Sequence, residues 1–469
     1  MANPKIALFP GAGQLPGRRP GARLPARQSR FGHIFDPFHH FWQPRKTVYT
    51  NLVQTHHMKR ILFLPLLFIL FTAFGQTPDT NIVIGKNGEL YSNILHEQRK
   101  IMVYLPASYY DTYFYKRRYP VVYAMDGDSH FFNLAAMIKQ MSENGNGLQF
   151  PEMILVAIQN TDRNRDLTPS RDTAAFMMDK RSASRTGGGD KFLSFISTEL
   201  MPHIDSLYPT APYHVFIGHS FGGLMVVDAL VYHKDMFNAY LAIDPSMMWD
   251  RCRLLHEAQQ LLPGADYSGR SLFMASANSL QTGLDTTTVM GDTTSIFSIH
   301  MQSMFHLRNA LSATSAVNHL SFRWKYYPEY SHQTVPLPAE YDGLRYLFDF
   351  YSLEFPFETF FRPDFKDDTL LAGHFDRISR RMGYTVSPPE SFVNNIAYNL
   401  LQNHQLDRAA YYFELNIHNY PNSFNVYDSM GDLYLAQNDK VRAAGMFKKC
   451  LSLRENPETR KKLDALQKP

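Results

Sequence analysis

Residues 213–232 constrain the fold more than any other stretch. Tyr213-His214-Val215-Phe216-Ile217 reads as a strand, Gly218-His219-Ser220-Phe221-Gly222-Gly223 follows without a spacer, and Leu224 to Tyr232 reads as a helix. A Gly-x-Ser-x-Gly run between strand and helix forces a sharp turn that holds the serine in a strained conformation. Its glycines let the two elements approach without a Cβ clash. The surrounding pattern agrees with a mostly parallel sheet behind that turn. Strands are expected at Pro120 to Met125, Met153 to Gln159, Val215 to Ile217, Tyr240 to Ile243 and Ser271 to Ala275, and the clearest helix between them at Lys191 to Leu207. Strands alternating with helices mean βαβ crossovers. Upstream, Asn81 to Ile84, Leu90 to Leu95 and Lys100 to Leu105 read as short strands of an antiparallel opening.

Ser220 is therefore the candidate nucleophile. Because a serine hydroxyl is a poor nucleophile near neutral pH, a base must take its proton, and the chain order in such sheets is nucleophile, acid, base. His332 is the candidate base, on a loop between the strand-like Leu320 to Tyr327 and the helix Ala339 to Tyr351. His300, His306 and His319 lie in helical or turn surroundings that suit surface or packing roles. The acid is expected beyond the strand Ser271 to Ala275, which points to Asp285, with Asp292 and Glu329 as alternatives. A Ser-His pair working alone also fits. Two N–H donors are needed for the charge that develops on a substrate oxygen. The backbone of Phe221, next after the nucleophile, supplies one, and that of Asp128, in the turn Asp126-Gly127-Asp128, the other.

Other features narrow the class by exclusion. The 469 residues carry a net charge of only +4, much of the excess lying in the Arg-rich first sixty, so nothing points to nucleic acid. Cys252 and Cys450 are the two cysteines, too few for a disulfide framework or a zinc spacing. Thr186-Gly187-Gly188-Gly189-Asp190 lacks Gly-Lys-Ser/Thr and reads as a flexible turn with Asp190 as a helix N-cap. No cofactor or metal is implied. Met58-Lys59-Arg60, the apolar run Ile61 to Phe71 and the small residues up to Gly75 form a signal peptide over residues 58–75, short of the ~20 residues a membrane span needs. Residues 1–57 then precede a true start at Met58 or form a disordered leader. The chain is expected to be exported, periplasmic or secreted, and not acylated, since no lipobox cysteine stands at the end of the signal peptide.

Residues 385–469 contain two helical hairpins in a shared 34-residue register. Ala397 corresponds to Gly431, Leu400 to Tyr434, Ala409 to Ala443, Ala410 to Ala444 and Phe413 to Phe447. That period, with small residues where helices cross, is the tetratricopeptide pattern. About three repeats are usually needed for independent stability, so two should lean on the body at 77–352 or on a partner; residues 353–384 connect the two regions.

Several segments resemble, in the right order, the Putative esterase family of α/β-hydrolases, which takes in esterase D, enterochelin esterase-like proteins, feruloyl esterases and mycolyltransferases. They are Arg99 to Pro106, Tyr119 to Gly127, Asn160 to Pro169, the Ser220 turn, Asp244-Pro245-Ser246 with Trp249, and His332, within about residues 85–352. The resemblance implies an α/β-hydrolase, and the 34-residue period adds a small all-α domain after it. It also implies a serine carboxylic-ester hydrolase working through an acyl-enzyme on an acylated sugar, phenolic or siderophore ester. Ser220 and His332 are then catalytic, Phe221 and Asp128 form the oxyanion hole, and Trp249 and Arg165 lie near the substrate. The chain departs from the family at Ala277-Asn278-Ser279, where an acidic residue often stands. An acyltransferase would share the same residues; an exported interaction protein, binding a partner or itself through the repeats, is the reading from another class.

Overall fold

The computed structural model describes residues 81–467, apart from 116, 144–147, 173–177, 281–284, 293–294, 354–356, 363 and 366–367. The signal peptide and leader lie outside the described residues.

Eight strands make one sheet: β1 (Lys86–Ser92), β2 (Glu97–Tyr104), β3 (Tyr119–Ala124), β4 (Ile154–Ile158), β5 (Thr210–His219), β6 (Ala239–Ile243), β7 (Ser271–Ala277) and β8 (Ser321–Tyr327), in the order β1-β2-β4-β3-β5-β6-β7-β8. Strand β2 runs antiparallel to β1 and β4, and every pair from β4 across to β8 is parallel. The sequence explains the difference. Strands β3, β4, β6 and β7 are buried throughout, as unbroken apolar runs must be when helices cover both faces, whereas the edge strands β1 and β8 alternate largely between exposed and half-buried positions. Asn81 to Ile84, expected as a strand, is irregular: pairing with β2 stops at Lys86 opposite Val103, and Ile82 and Val83 are exposed. Without a neighbouring edge, β-forming side chains have nothing to pair with.

Helices follow in the expected alternation: α1 (Gly127–Glu143), the short α2 (Arg163–Asp166) and α3 (Lys180–Ser184), α4 (Gly189–Phe195), which continues through a π-turn at Ile196–Leu200 into α5 (Met201–Leu207), then α6 (Phe221–Tyr232), α7 (Trp249–Leu261), α8 (Ile296–Thr314) and α9 (Pro336–Leu347). Helix α4 starts earlier than expected. Gly188 occupies the N-cap and Asp190 lies in the first turn, where its charge complements the helix dipole instead of capping it. Phe131, Leu134 and Ile138 of α1 and Leu344 and Leu347 of α9 pack on one face of the sheet against Val122, Val215 and Leu241. On the other face, Leu193, Ile204, Leu224 and Leu254 pack on Val121, Tyr123 and Phe216.

The C-terminal region is all helical: α10 (Leu370–Met382), α11 (Glu390–Gln402), α12 (Leu406–Asn419), α13 (Phe424–Ala436), α14 (Lys440–Leu453) and α15 (Pro457–Gln467). A Cβ on Gly431 of α13 would lie 2.3 Å from the Phe447 ring of α14, so a small residue is required where the helices cross. One apolar cluster continues from Tyr213 and Phe348 through Tyr351, Phe360 and Phe375 to Phe392, Tyr412 and Met430, tying these helices to the α1 and α9 side of the sheet. Arg381 of α10 donates to the hydroxyls of Ser271 and Ser321, the first residues of β7 and β8, at the end of the sheet remote from the Ser220 turn. No helix among the described residues is long and apolar enough to cross a membrane.

Candidate active site

Parallel strands place their C-terminal ends on one edge, and β5 delivers Ser220 there. Ser220 has φ 61° and ψ −117°, a conformation L-residues avoid, and it is over-determined by its surroundings. Its N–H donates to Ile243 O (3.0 Å), and its carbonyl accepts from Leu224 N (2.9 Å) and Ser246 N (3.1 Å), so the turn is fastened to the end of β6. Two glycines make the approach possible. A Cβ on Gly218 would lie 2.4 Å from the Gly222 backbone, and one on Gly223 would lie 2.9 Å from Ile243 O; Gly222 itself has room to spare.

Ser220 opens onto a cavity of about 800 Å³ that is also lined by His332, His219, His130, Asp126, Asn160, Arg163 and Tyr330. His332 enters it from the loop after β8. Its Nδ1 lies 2.5 Å from Asp244 Oδ2, and Asp244 is fully buried at the end of β6. Here the sequence expectation needs correcting. Asp285, expected as the acid, is exposed, and its Oδ1 accepts the N–H and hydroxyl groups of Thr287 and Thr288, a turn closed on itself. Neither alternative reaches the imidazole: Asp292 accepts from Ser298 Oγ, and Glu329 is exposed in the turn after β8.

The Asp244 carboxylate is completely engaged. Oδ1 accepts from Ala277 N (2.8 Å), and Oδ2 is shared between His332 Nδ1 and His300 Nε2 (3.3 Å). Burial alone would raise its pKa, but the charges and hydrogen bonds of His300 and His332 hold it well below the usual carboxylate range. Asp244 is thus a permanently ionised group behind the imidazole. His219, whose ring centroid is 4.5 Å from that of His332, is pushed the other way, down to about 3, by burial and then by the neighbouring His332 and His130. It stays neutral near pH 7. Asp244, His300 and His332 present ligand atoms within 4.8 Å of one another, a spacing a metal ion could use, but these atoms already form the hydrogen bonds just described.

Of the expected oxyanion donors, Phe221 opens α6 and Asp128 lies in the first turn of α1, where backbone N–H groups have no partner within the helix. Asp126 and Ser129, flanking Gly127-Asp128, line the cavity, while the Asp128 carboxylate turns away to accept from Gln159. Arg165 and Trp249, expected near the substrate, do not line this cavity and make other contacts. Arg165 is clamped by Glu97 and Asp166. Trp249 is buried, donates Nε1–H to Ser170 O (3.1 Å), and packs edge-on against the Phe221 ring from a separate cavity behind α6. Arg163, two residues before Arg165 and on another side of the one-turn α2, is the arginine in the active cavity, where it pairs with Asp126.

Sequence reasoning missed Asp244 and His300. Asp244 was visible only as part of a motif, and the signal that identifies it is its place directly after β6, level with Ser220 on the neighbouring strand. His300 sits in an ordinary amphipathic helix and carries no local signature.

Comparison with known proteins identifies relatives of the chain. The model of the family described as "Putative esterase" matches residues 92–333. The siderophore enterobactin esterase of Emericella nidulans is 28% identical over 31% of this chain and 52% of its own length. For the ferri-bacillibactin esterase BesA of Bacillus subtilis the figures are 27%, 31% and 53%. The chain spans about half the length of the curated relatives it matches. Among solved structures, an IroE-like serine hydrolase from Shewanella oneidensis superposes with a TM-score of 0.60 at 30% identity, covering 71% of this chain and 99% of that one. An uncharacterised protein from Capnocytophaga ochracea shares the fold (TM-score 0.52, 16% identity, 82% and 99% covered). With the family model spanning half the chain and the Ser220 turn, the parallel sheet and the His332 loop all inside that span, the chain belongs to the Putative esterase family of α/β-hydrolases.

Proposed function

We propose that this chain is a serine carboxylic-ester hydrolase in which Ser220, His332 and Asp244 act as a triad. The observation that carries this reading is a buried, ionised Asp244 bonded to Nδ1 of a histidine that shares its cavity with a strained serine. Ser220 Oγ attacks the ester carbonyl while His332 Nε2 accepts its proton, and Asp244 stabilises the resulting imidazolium and fixes its tautomer. The backbone N–H groups of Phe221 and Asp128 stabilise the oxyanion. His332 then protonates the leaving alcohol, and water, activated by the same histidine, releases the acyl group and regenerates Ser220.

The substrate class we assign is a siderophore-type ester. Relatives named for enterobactin and bacillibactin support it, as does a cavity that offers hydroxyl, amide and imidazole groups from Ser129, Asn133, Asn160, His130 and Gln333 to a polar ester. Export by the signal peptide at 58–75 and a docking or self-association role for the tetratricopeptide-like hairpins α11–α14 complete the proposal. An acyltransferase would need an alcohol to outcompete water for the acyl-enzyme. Protein expressed from Gln76 is expected to hydrolyse p-nitrophenyl acetate, p-nitrophenyl butyrate and enterobactin, and Ser220→Ala to lose all three activities. Turnover retained in folded Ser220→Ala would defeat the triad, and hydrolysis of the two p-nitrophenyl esters without enterobactin would defeat the substrate class alone.

A further inference from the structure

Among buried side chains that the proposed reaction does not use, His300 stands apart. It projects from the first third of α8, is 5% exposed, and places Nε2 3.3 Å from the same Asp244 oxygen that His332 contacts at 2.5 Å. Its ring lies 5.8 Å from that of His332, perpendicular to it. We infer that His300 is a positioning residue for the ester-cleaving reaction: its Nε2–H anchors the Asp244 carboxylate and sets how strongly that carboxylate pulls on the His332 proton. This inference rests on the triad reading.

Three observations lead there. First, the His300 Nδ1 is buried and has no hydrogen-bond partner among the described residues. Of the two neutral tautomers, the one with the proton on Nδ1 would bury an unpaired donor and also turn a bare Nε2 lone pair toward a carboxylate. The Nε2–H tautomer instead makes a charge-assisted hydrogen bond and leaves only a bare acceptor, at lower cost. Second, the acid comes from β6. It therefore has to reach across the end of β7, and its other fixed contact there is Ala277 N–H on Oδ1. Without His300, Oδ2 would have His332 alone as its hydrogen-bond partner among the described residues, the group that gains and loses a proton in the proposed reaction. Third, two donors on one oxygen share its electron density, so each lowers the basicity felt by the other. The titratable groups facing this cluster are Asp244 from β6, His332 from the loop after β8, His219 from the Ser220 turn and Tyr326 from β8.

Two near-isosteric replacements separate positioning from packing. Glutamine places its amide where Nε2 stands and keeps the bond to Asp244; asparagine places its amide near Nδ1 and cannot reach. Expected for His300→Asn is a kcat lowered roughly tenfold with KM unchanged. The acid limb of kcat/KM should also move to higher pH, since a carboxylate freed of one donor holds the protonated imidazole more strongly. His300→Gln should lie close to wild type on both counts. Equal losses in both variants with the acid limb unmoved, or no loss in His300→Asn, would overturn the inference. A second measurement needs neither variant to fold nor any turnover: imidazole ¹⁵N shifts of the full wild-type chain should show His300 protonated on Nε2 at neutral pH. Protonation on Nδ1 there would refute the assignment even if Ser220→Ala behaves as the triad reading requires. Conversely, Nε2 protonation in a chain that cleaves no ester would leave the hydrogen bond standing and remove only the reaction it serves.

Discussion

Asp244 combines three properties that an acid behind a catalytic histidine needs: complete burial, a fixed rotamer and a negative charge that survives at any working pH. Its φ of 44° turns the backbone out of β6 and swings the carboxylate over the end of β7 toward the loop that carries His332. Asp and Asn tolerate this left-handed region better than most residues, which suits an aspartate at a strand end. The competing assignment makes a different kinetic forecast. Asp244→Asn should lower kcat roughly 10³–10⁴-fold, because the amide favours the wrong His332 tautomer, whereas Asp285→Asn should stay within about twofold of wild type. Steady-state rates on one p-nitrophenyl ester decide between them, and a large loss in Asp285→Asn with little in Asp244→Asn would return the role to Asp285.

Among the elements, α6 carries both the residue after the nucleophile and an unusual burden. Asp228, on its buried side, is 6% exposed, and burial followed by the neighbouring charges of Asp190 and Glu257 pushes its carboxyl up to about 7. A folded chain that holds a proton the unfolded chain gives up between about pH 4 and 7 loses stability as pH rises through that window. Asp228→Asn removes the ionisation. It should therefore raise Tm over wild type at pH 8, with a gain of the order of a few kcal/mol, and much less at pH 4.5, as thermal melts at the two pH values will show. A gain independent of pH would mean that Asp228 is not the group responsible.

Element by element, the sequence was most legible where local rules suffice. Apolar runs marked β3, β4, β6 and β7, the Gly218 to Gly223 turn placed Ser220 at a strand end, and the strand, loop and helix around His332 put that side chain on the same edge of the sheet. Legibility failed where the answer depended on which strands are neighbours. The carboxylate that reaches His332 is set by the adjacency of β5 and β6 and by the reach of a side chain across β7, neither of which is a property of residues near Asp285 or Asp244 in the chain. Arg165 stands apart from the cavity for a simpler reason: a single helical turn puts residues two apart on different sides, so Arg163 faces the cavity and Arg165 faces Glu97.

At the scale of the whole molecule, the Ser220 cavity and the C-terminal helices α10–α15 occupy separate regions. Ser220 and His332 sit at the C-terminal ends of the parallel strands, the usual site for ligands on such sheets. Helix α10 is fastened to the first residues of β7 and β8, and the apolar cluster makes α11 and α12 a continuation of the body. On this layout the cavity and the hairpins are free to do separate work. The most direct test of the central claim is a covalent one. Reaction of the chain with a fluorophosphonate, followed by intact mass and peptide mapping, should add one phosphonyl group at Ser220, slowly in Asp244→Asn and not at all in Ser220→Ala. No adduct on folded wild type, or an adduct on another residue that persists in Ser220→Ala, would contradict the account.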